Sequence, residues 1–235
     1  MPDINSYELY KAYVNNVRGF LKTETEIRRT INASLKKNKQ DSVERITKIY
    51  ALLYSTFSEA NFMKMILTPY GFSQDFVNQI IEQNNIQNKW HKCIELAFHV
   101  YQTNWKPKKN SEIPNKIQEL KEIVDRYVIS PSVIRNKIAH GQINNALNSD
   151  QTKLNPDLTR ELKELNQIQI YIWFQIQIKL TEIIEDLIES PEKMHLNTYH
   201  SKIQGLFQFI NHTKKWDIDS KMNTKSMLKR RPDAS

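Results

Sequence analysis

The segment Ser130-Pro-Ser-Val-Ile-Arg135-Asn136-Lys137-Ile138-Ala139-His140-Gly141 gathers a guanidinium, an amide and an imidazole within a short stretch. An imidazole titrates near neutrality, so His140 can act as general base or general acid. Arg135 stays charged, and its planar fork matches the oxygens of a phosphate or carboxylate. Asn136 can orient an imidazole or hold an oxygen. On a helix starting at Pro131, Ile134 and Ile138 lie one turn apart and should face the core. Asn136 and His140 lie one turn apart on the roughly opposite side, with Arg135 on the flank. Ser130 is expected to cap this helix with Pro131 at its first position, and Gly141 to end it. Groups placed this way face either bulk water or a second copy of the same surface. The alternative is a surface helix that its Arg and His merely solvate.

Two further side chains are secondary candidates. Glu59 lies in a largely apolar helical run and would want a partner, for which Arg135 is suited; an exposed carboxylate beside Ser58 and Asn61 is the competing expectation. Lys137 is taken as a weak support residue within the motif. Other familiar chemistries lack their residues: there is no Gly-rich phosphate loop, paired-Cys spacing, His-Glu-x-x-His or Gly-x-Ser-x-Gly. His195 and His200 are five apart, and His91 and Cys93 diverge on a helix, so no metal site is expected.

The elements that must position the motif read as helices. Tyr10, Val14, Val17, Leu21, Ile31 and Leu35 recur at helical spacing between Ser6 and Lys37. A second helix from Asp41 or Ser42 carries Val43, Ile46, Tyr50, Leu53, Phe57 and Ala60, and Pro69-Tyr70-Gly71 ends it. Ser73 caps a short third through Phe76, Ile80 and Ile81. Trp90, Ile94, Ala97, Phe98 and Tyr101 stripe a fourth, and the basic stretch Trp105–Pro114 reads as a loop. Ile117, Leu120, Ile123, Val124 and Val128 precede the motif. After a polar loop, Leu158 to Ser190 is expected as one uninterrupted helix, since no Gly or Pro occurs there despite a period-two middle. Its centre is apolar nearly all round, so the bundle or a second subunit must cover it. A last helix spans about Pro191–His212.

Length and composition agree with an all-α reading. The chain has 235 residues, 39% hydrophobic, with four Gly and eight Pro, too few turn residues for a many-stranded β fold. One Cys excludes a disulfide framework. The start MPDINSYELY is too polar for a signal peptide, and no apolar run reaches membrane-spanning length, so a cytoplasmic protein without membrane contact is expected. Thirty-four Lys+Arg against 26 Asp+Glu give +8, which favours a polyanionic partner. Part of that excess lies in a basic tail, residues 213–235, expected as a solvated end or an arm that grazes RNA, after a single helical domain, residues 1–212.

The stretch Arg135-Asn136-Lys137-Ile138-Ala139-His140 resembles the signature of HEPN domains: an Arg, four to six residues, and a His, often with a polar residue after the Arg. The resemblance implies an all-α, multi-helix HEPN-like bundle with long N-terminal and C-terminal helices and the motif on a late helix. It implies a metal-independent RNA endonuclease, without cofactor, acting as a toxin or antiviral effector in abortive infection. It further implies a homodimer with composite active sites and a neutralising or sensing partner encoded nearby. The ribose 2′-OH would attack in line, leaving a 2′,3′-cyclic phosphate and a 5′-hydroxyl, with Arg135, Asn136 and His140 as the catalytic set. One subgroup carries a modifiable Tyr two residues after the His; here Gln142 stands there. A catalytically silent HEPN-like module binding RNA or protein, and a helical interaction protein without RNA, are the competing expectations.

Overall fold

The computed structural model describes residues 6–105, 112–189 and 196–218. Two long helices, α1 (Ser6–Lys36) and α2 (Gln40–Ile66), pack along their length. Tyr50 of α2 donates to Glu24 of α1 at 2.7 Å, and Arg28 lies on the same carboxylate oxygen. Next come α3 (Gln74–Ile81) and α4 (Ile86–Trp105). The Ser73 hydroxyl accepts from the Phe76 N–H at 3.3 Å, the cap its residue type predicts. On α3 the buried face is Val77 and Ile80, while Ile81 points to water. The remaining helices are α5 (Ile113–Val124), α6 (Ser130–Ala139), α7 (Pro156–Glu164), α8 (Gln167–Glu189) and α9 (Leu196–Thr213). The fold is all-α. Among the described residues the only β pairing is an isolated bridge, Leu147 to Leu154.

Three expectations about element boundaries are corrected. Ser130 is not an N-cap: its backbone is helical, and a π-helical turn, Asp125–Ile129, joins α5 to α6 without a break. A proline inside a helix lacks a donor and crowds the carbonyl four residues back. Here that carbonyl belongs to Tyr127, and the Tyr54 hydroxyl donates to it at 2.9 Å. Burial pushes the Tyr54 phenol well above its ordinary range, which keeps it a neutral donor. The widened turn and this hydroxyl together let the chain pass Pro131 while remaining helical.

The stretch from Leu158 to Ser190 is likewise not one helix. Leu165 turns extended, and the Asn166 side chain accepts from the Ile168 and Gln169 N–H groups, both at 3.1 Å, starting α8 anew. An internal Asn can cap as well as continue a helix, and spacing alone does not say which. Third, the expected loop ends earlier than Pro114, which sits in the first turn of α5; residues 106–111 lie outside the described residues. So do the start assigned to the last helix at Pro191 and most of the basic tail, from residue 219 on. The tail's first residues are held: Thr213 is buried, and Trp216 packs on Phe209, His212 and Tyr171.

The core falls into two clusters. One gathers Trp90, Ile94 and Phe98 of α4, Leu120, Ile123 and Val124 of α5, and the second half of α8 with α9. The other gathers Tyr50, Tyr54 and Phe57 of α2, Ile134 and Ile138 of α6, and Trp173 and Phe174 of α8. Tyr127 touches both. The Phe174 ring lies 5.5 Å from Tyr50, 5.2 Å from Tyr54 and 4.7 Å from Phe57, centroid to centroid. Two polar ties cross the same interface, Gln177 to the Ser58 carbonyl at 3.1 Å and Asn61 to Thr181 at 3.0 Å. The chain's own α2, α4, α9 and π turn cover α8, and no residue between Tyr171 and Leu180 is exposed. Of the two covers expected for the centre of α8, the bundle or a second subunit, the bundle supplies it. No helix among the described residues is long and apolar enough to cross a membrane.

Candidate functional site

Helix α6 is short, and its placement follows from two anchored apolar residues. Ile134 and Ile138, one turn apart, are buried in the second cluster against α2. That seating turns Asn136 and His140 outward, and both are exposed. The helix ends as its sequence dictates. Gly141 takes φ +80, its N–H donates to the Ile138 carbonyl at 3.0 Å, and the Gln142 N–H donates to the Lys137 carbonyl at 2.8 Å. This paired closure fixes His140 as the C-cap, between Ala139 and a left-handed glycine. The imidazole makes no hydrogen bond or ion pair with any described residue, which leaves both ring nitrogens open to an incoming group.

Arg135 turns the other way. Its Nη2 meets Glu59 Oε1 of α2 at 3.1 Å, so the pair expected from residue type is formed. The Arg135 side chain is 26% exposed and that of Glu59 is 60% exposed, so the carboxylate lies largely in water while the guanidinium is tucked beneath it. Arg135 Nε is buried without a hydrogen-bond partner, so Glu59 engages one arm of the fork and leaves other donors unused. His140 comes five positions after Arg135, about 140° around a helix at 100° per residue. Within one chain the structure brings Arg135 to Glu59, and Asn136 to the face of His140, but it does not bring Arg135 and His140 into contact.

Lys137 has a different task. Its Nζ donates to the Leu147 carbonyl at 2.6 Å, which ties α6 to the following loop. Gln142 completes that tie: its Oε1 accepts from the Leu147 N–H at 2.7 Å, and the residue is buried. The Thr159 hydroxyl accepts from the Ala146 N–H at 2.9 Å. The loop after His140 is thus built rather than slack, and the position two residues after the His holds a structural amide.

The motif occupies an open surface. A cleft of about 470 Å³ lies along the other flank of α6, walled by Arg126, Pro131, Ile134, Trp173, Lys214 and Trp216 among others, and Arg135, Asn136 and His140 are not part of it. Among the described residues no group of three His, Cys, Asp or Glu is placed to hold a metal ion. Sequence reasoning missed the brace from Tyr54 to Tyr127. Pro131 was its available signal, since a proline within a helix orphans the carbonyl four residues earlier.

The chain matches no family model, no curated protein and no solved structure. Its functional reading therefore rests on the geometry of α6 and the residue types it presents. Asn136 and His140 stand on an open surface, with Arg135 on the adjoining flank against Glu59. That surface cannot enclose a small substrate. Such a surface suits a polymer lying across it or a second protein surface closing over it.

Proposed function

We propose that the protein is a metal-independent RNA endonuclease of HEPN-like type, a toxin or antiviral defence effector that works in the cytoplasm as a homodimer. The observation that carries the reading is the outward pair Asn136 and His140 on one turn of α6, beside an Arg135 whose fork is only partly engaged. RNA brings its own nucleophile, the ribose 2′-OH, so the protein has only to move protons and stabilise charge. His140 takes the proton from the 2′-OH, or delivers one to the departing 5′ oxygen. Arg135 offers its free donors to the phosphate oxygens as charge builds on phosphorus. Asn136 orients the imidazole or holds a phosphate oxygen.

One copy supplies one imidazole, whereas cleavage uses an acid and a base. A two-fold axis at α6 gives both from one gene, and the divergence of Arg135 and His140 within a chain makes a partner's contribution the simplest completion. Neutralisation falls to a partner protein encoded nearby that covers this surface, since Gln142 offers no hydroxyl to modify. The second reading, a catalytically silent RNA- or protein-binding module, draws support from the arm of Arg135 that Glu59 already occupies.

The test is cleavage of RNA in EDTA by the purified chain. The reading expects 2′,3′-cyclic phosphate and 5′-hydroxyl ends, resistance of 2′-deoxy substrates, growth arrest on expression and relief by His140→Ala. DNA cut at a comparable rate, or arrest that persists in His140→Ala, removes the 2′-OH mechanism. Sedimentation at micromolar concentration should give about twice 27.9 kDa; a fully active monomer removes the composite site.

A further inference from the structure

The solvent face of α1 carries an arrangement that the α6 chemistry does not use. Lys11, Arg18, Lys22, Arg29 and Lys36 are all exposed. At about 100° per residue they fall within roughly 20° of one line along the helix. The row runs about 37 Å at 1.5 Å per residue. The acidic residues of α1 lie off this line. Glu8 and Glu26 sit about 60° to one side by the same arithmetic, and Glu24 is buried on the far side against Tyr50 and Arg28. Lys11 rests over the Tyr7 ring at 4.3 Å. Arg18, Lys22, Arg29 and Lys36 form no ion pair among the described residues. Glu8 lies three residues from Lys11, and Glu26 lies four from Lys22 and three from Arg29, the spacing at which helix charges can pair, yet no such pair forms among the described residues. Along the strip itself every charge is positive.

We propose that this row is a backbone-binding surface for single-stranded RNA, gathering the strand that α6 cuts. The shape selects the partner. A linear polyanion matches a row this long and narrow, because each cation can neutralise a phosphate and release its counterion. A lipid surface would need the apolar side of the helix, and on α1 that side, with Val17 and Ile31, is packed into the core. A stable protein interface would need an apolar or aromatic centre with the charges at its rim, whereas Asn15 and Ala33 fill the gaps in this row. No base is read, so the surface favours strand length over sequence. This deepens the ribonuclease reading by naming how substrate is held, and its binding can be measured apart from cleavage.

The experiment measures anisotropy of a fully 2′-O-methylated RNA 20-mer, which cannot be cut by in-line attack, against the whole chain at several salt concentrations. Five contacts contribute about −3.5 to the log–log salt slope for a single strand. The triple variant Arg18→Gln/Lys22→Gln/Arg29→Gln should make that slope shallower by about 2 and weaken binding about 100-fold at 0.1 M salt. Lys89→Gln/Lys92→Gln/Lys215→Gln, an equal loss of charge elsewhere, should leave affinity within a few-fold. Thermal unfolding of both variants should match that of the parent, since the α1 cations are exposed and unpaired. An unchanged slope in the α1 variant overturns the inference even if RNA is cleaved. Loss of binding to phosphatidylserine vesicles while RNA binding is kept also overturns it. Conversely, slope-sensitive binding with no cleavage of any RNA supports the row and removes only the nuclease reading. With active protein, the α1 variant should raise KM for a long RNA and leave cleavage of a tetranucleotide unaltered.

Discussion

Helices α6 and α8 spend their residues in opposite ways. Every position from Tyr171 to Leu180 of α8 is at least half-buried, its aromatic and aliphatic side chains meet the chain's own α2, α4 and α9, and the Gln177 amide donates to the Ser58 carbonyl of α2. Helix α6 buries Pro131, Ile134 and Ile138, and exposes Val133, Asn136, Ala139 and His140. On α8 residue identity is explained by packing. On α6 Asn136, and His140 just past its end, are polar groups that packing does not explain, and such groups are where function is sought.

Substitution should separate the two helices. Phe174→Ala removes the ring shared by Tyr50, Tyr54 and Phe57 and should cost about 3–5 kcal/mol in urea unfolding; a loss under about 1 kcal/mol would mean α8 is not the packing centre described. His140→Ala should reduce RNA cleavage by about 10²–10⁴-fold while changing unfolding free energy by no more than about 0.5 kcal/mol. A large stability change there would return His140 to the structural class. Tyr54→Phe tests the seam between the two helices: losing its hydroxyl leaves the Tyr127 carbonyl unpaired and should cost about 1–3 kcal/mol. Gly141→Ala meets no steric neighbour, yet φ is +80, so only the left-handed backbone resists, at about 1 kcal/mol by thermal unfolding. Glu59→Gln should change stability least, by less than about 0.5 kcal/mol, because the carboxylate is largely solvated. A larger loss would show that Glu59 and Arg135 are a structural pair.

The sequence carried the all-α fold because its apolar positions repeat at helical spacing and turn residues are scarce. Most of the stripes proved buried, Trp90, Ile94, Ala97, Phe98 and Tyr101 among them. The outward facing of Asn136 and His140 was also legible, since two isoleucines one turn apart leave little choice of seating. What spacing could not say was whether a polar residue caps or continues a helix. Ser130 has the type of a cap but continues the helix, and Asn166 has a type tolerated inside a helix but caps. That decision depends on tertiary partners, such as a tyrosine hydroxyl from α2, which no local window contains. For Glu59 both expectations are met in part, since its carboxylate is largely exposed and still reaches Arg135. The task of Lys137 was not, because its acceptor is a loop carbonyl ten residues on. The α1 row was present in the spacing, but only the burial of the opposite face fixed which side meets water.

The π turn has a consequence for the phase of the motif helix. Ile123 and Ile134 are eleven residues apart, which on a regular helix sets them within about 20° of one line. They nonetheless belong to different core clusters. The wide turn absorbs one residue of winding, so α6 is rotated about 100° from where unbroken counting would put it. The outward direction of His140 is therefore set by a residue count upstream of the motif as much as by the motif itself. Loss of one residue between Asp125 and Ile129, with the helix then wound regularly, would preserve the facing of α6. Regular winding at the present length would turn the edge that carries Asn136 and His140 toward the core.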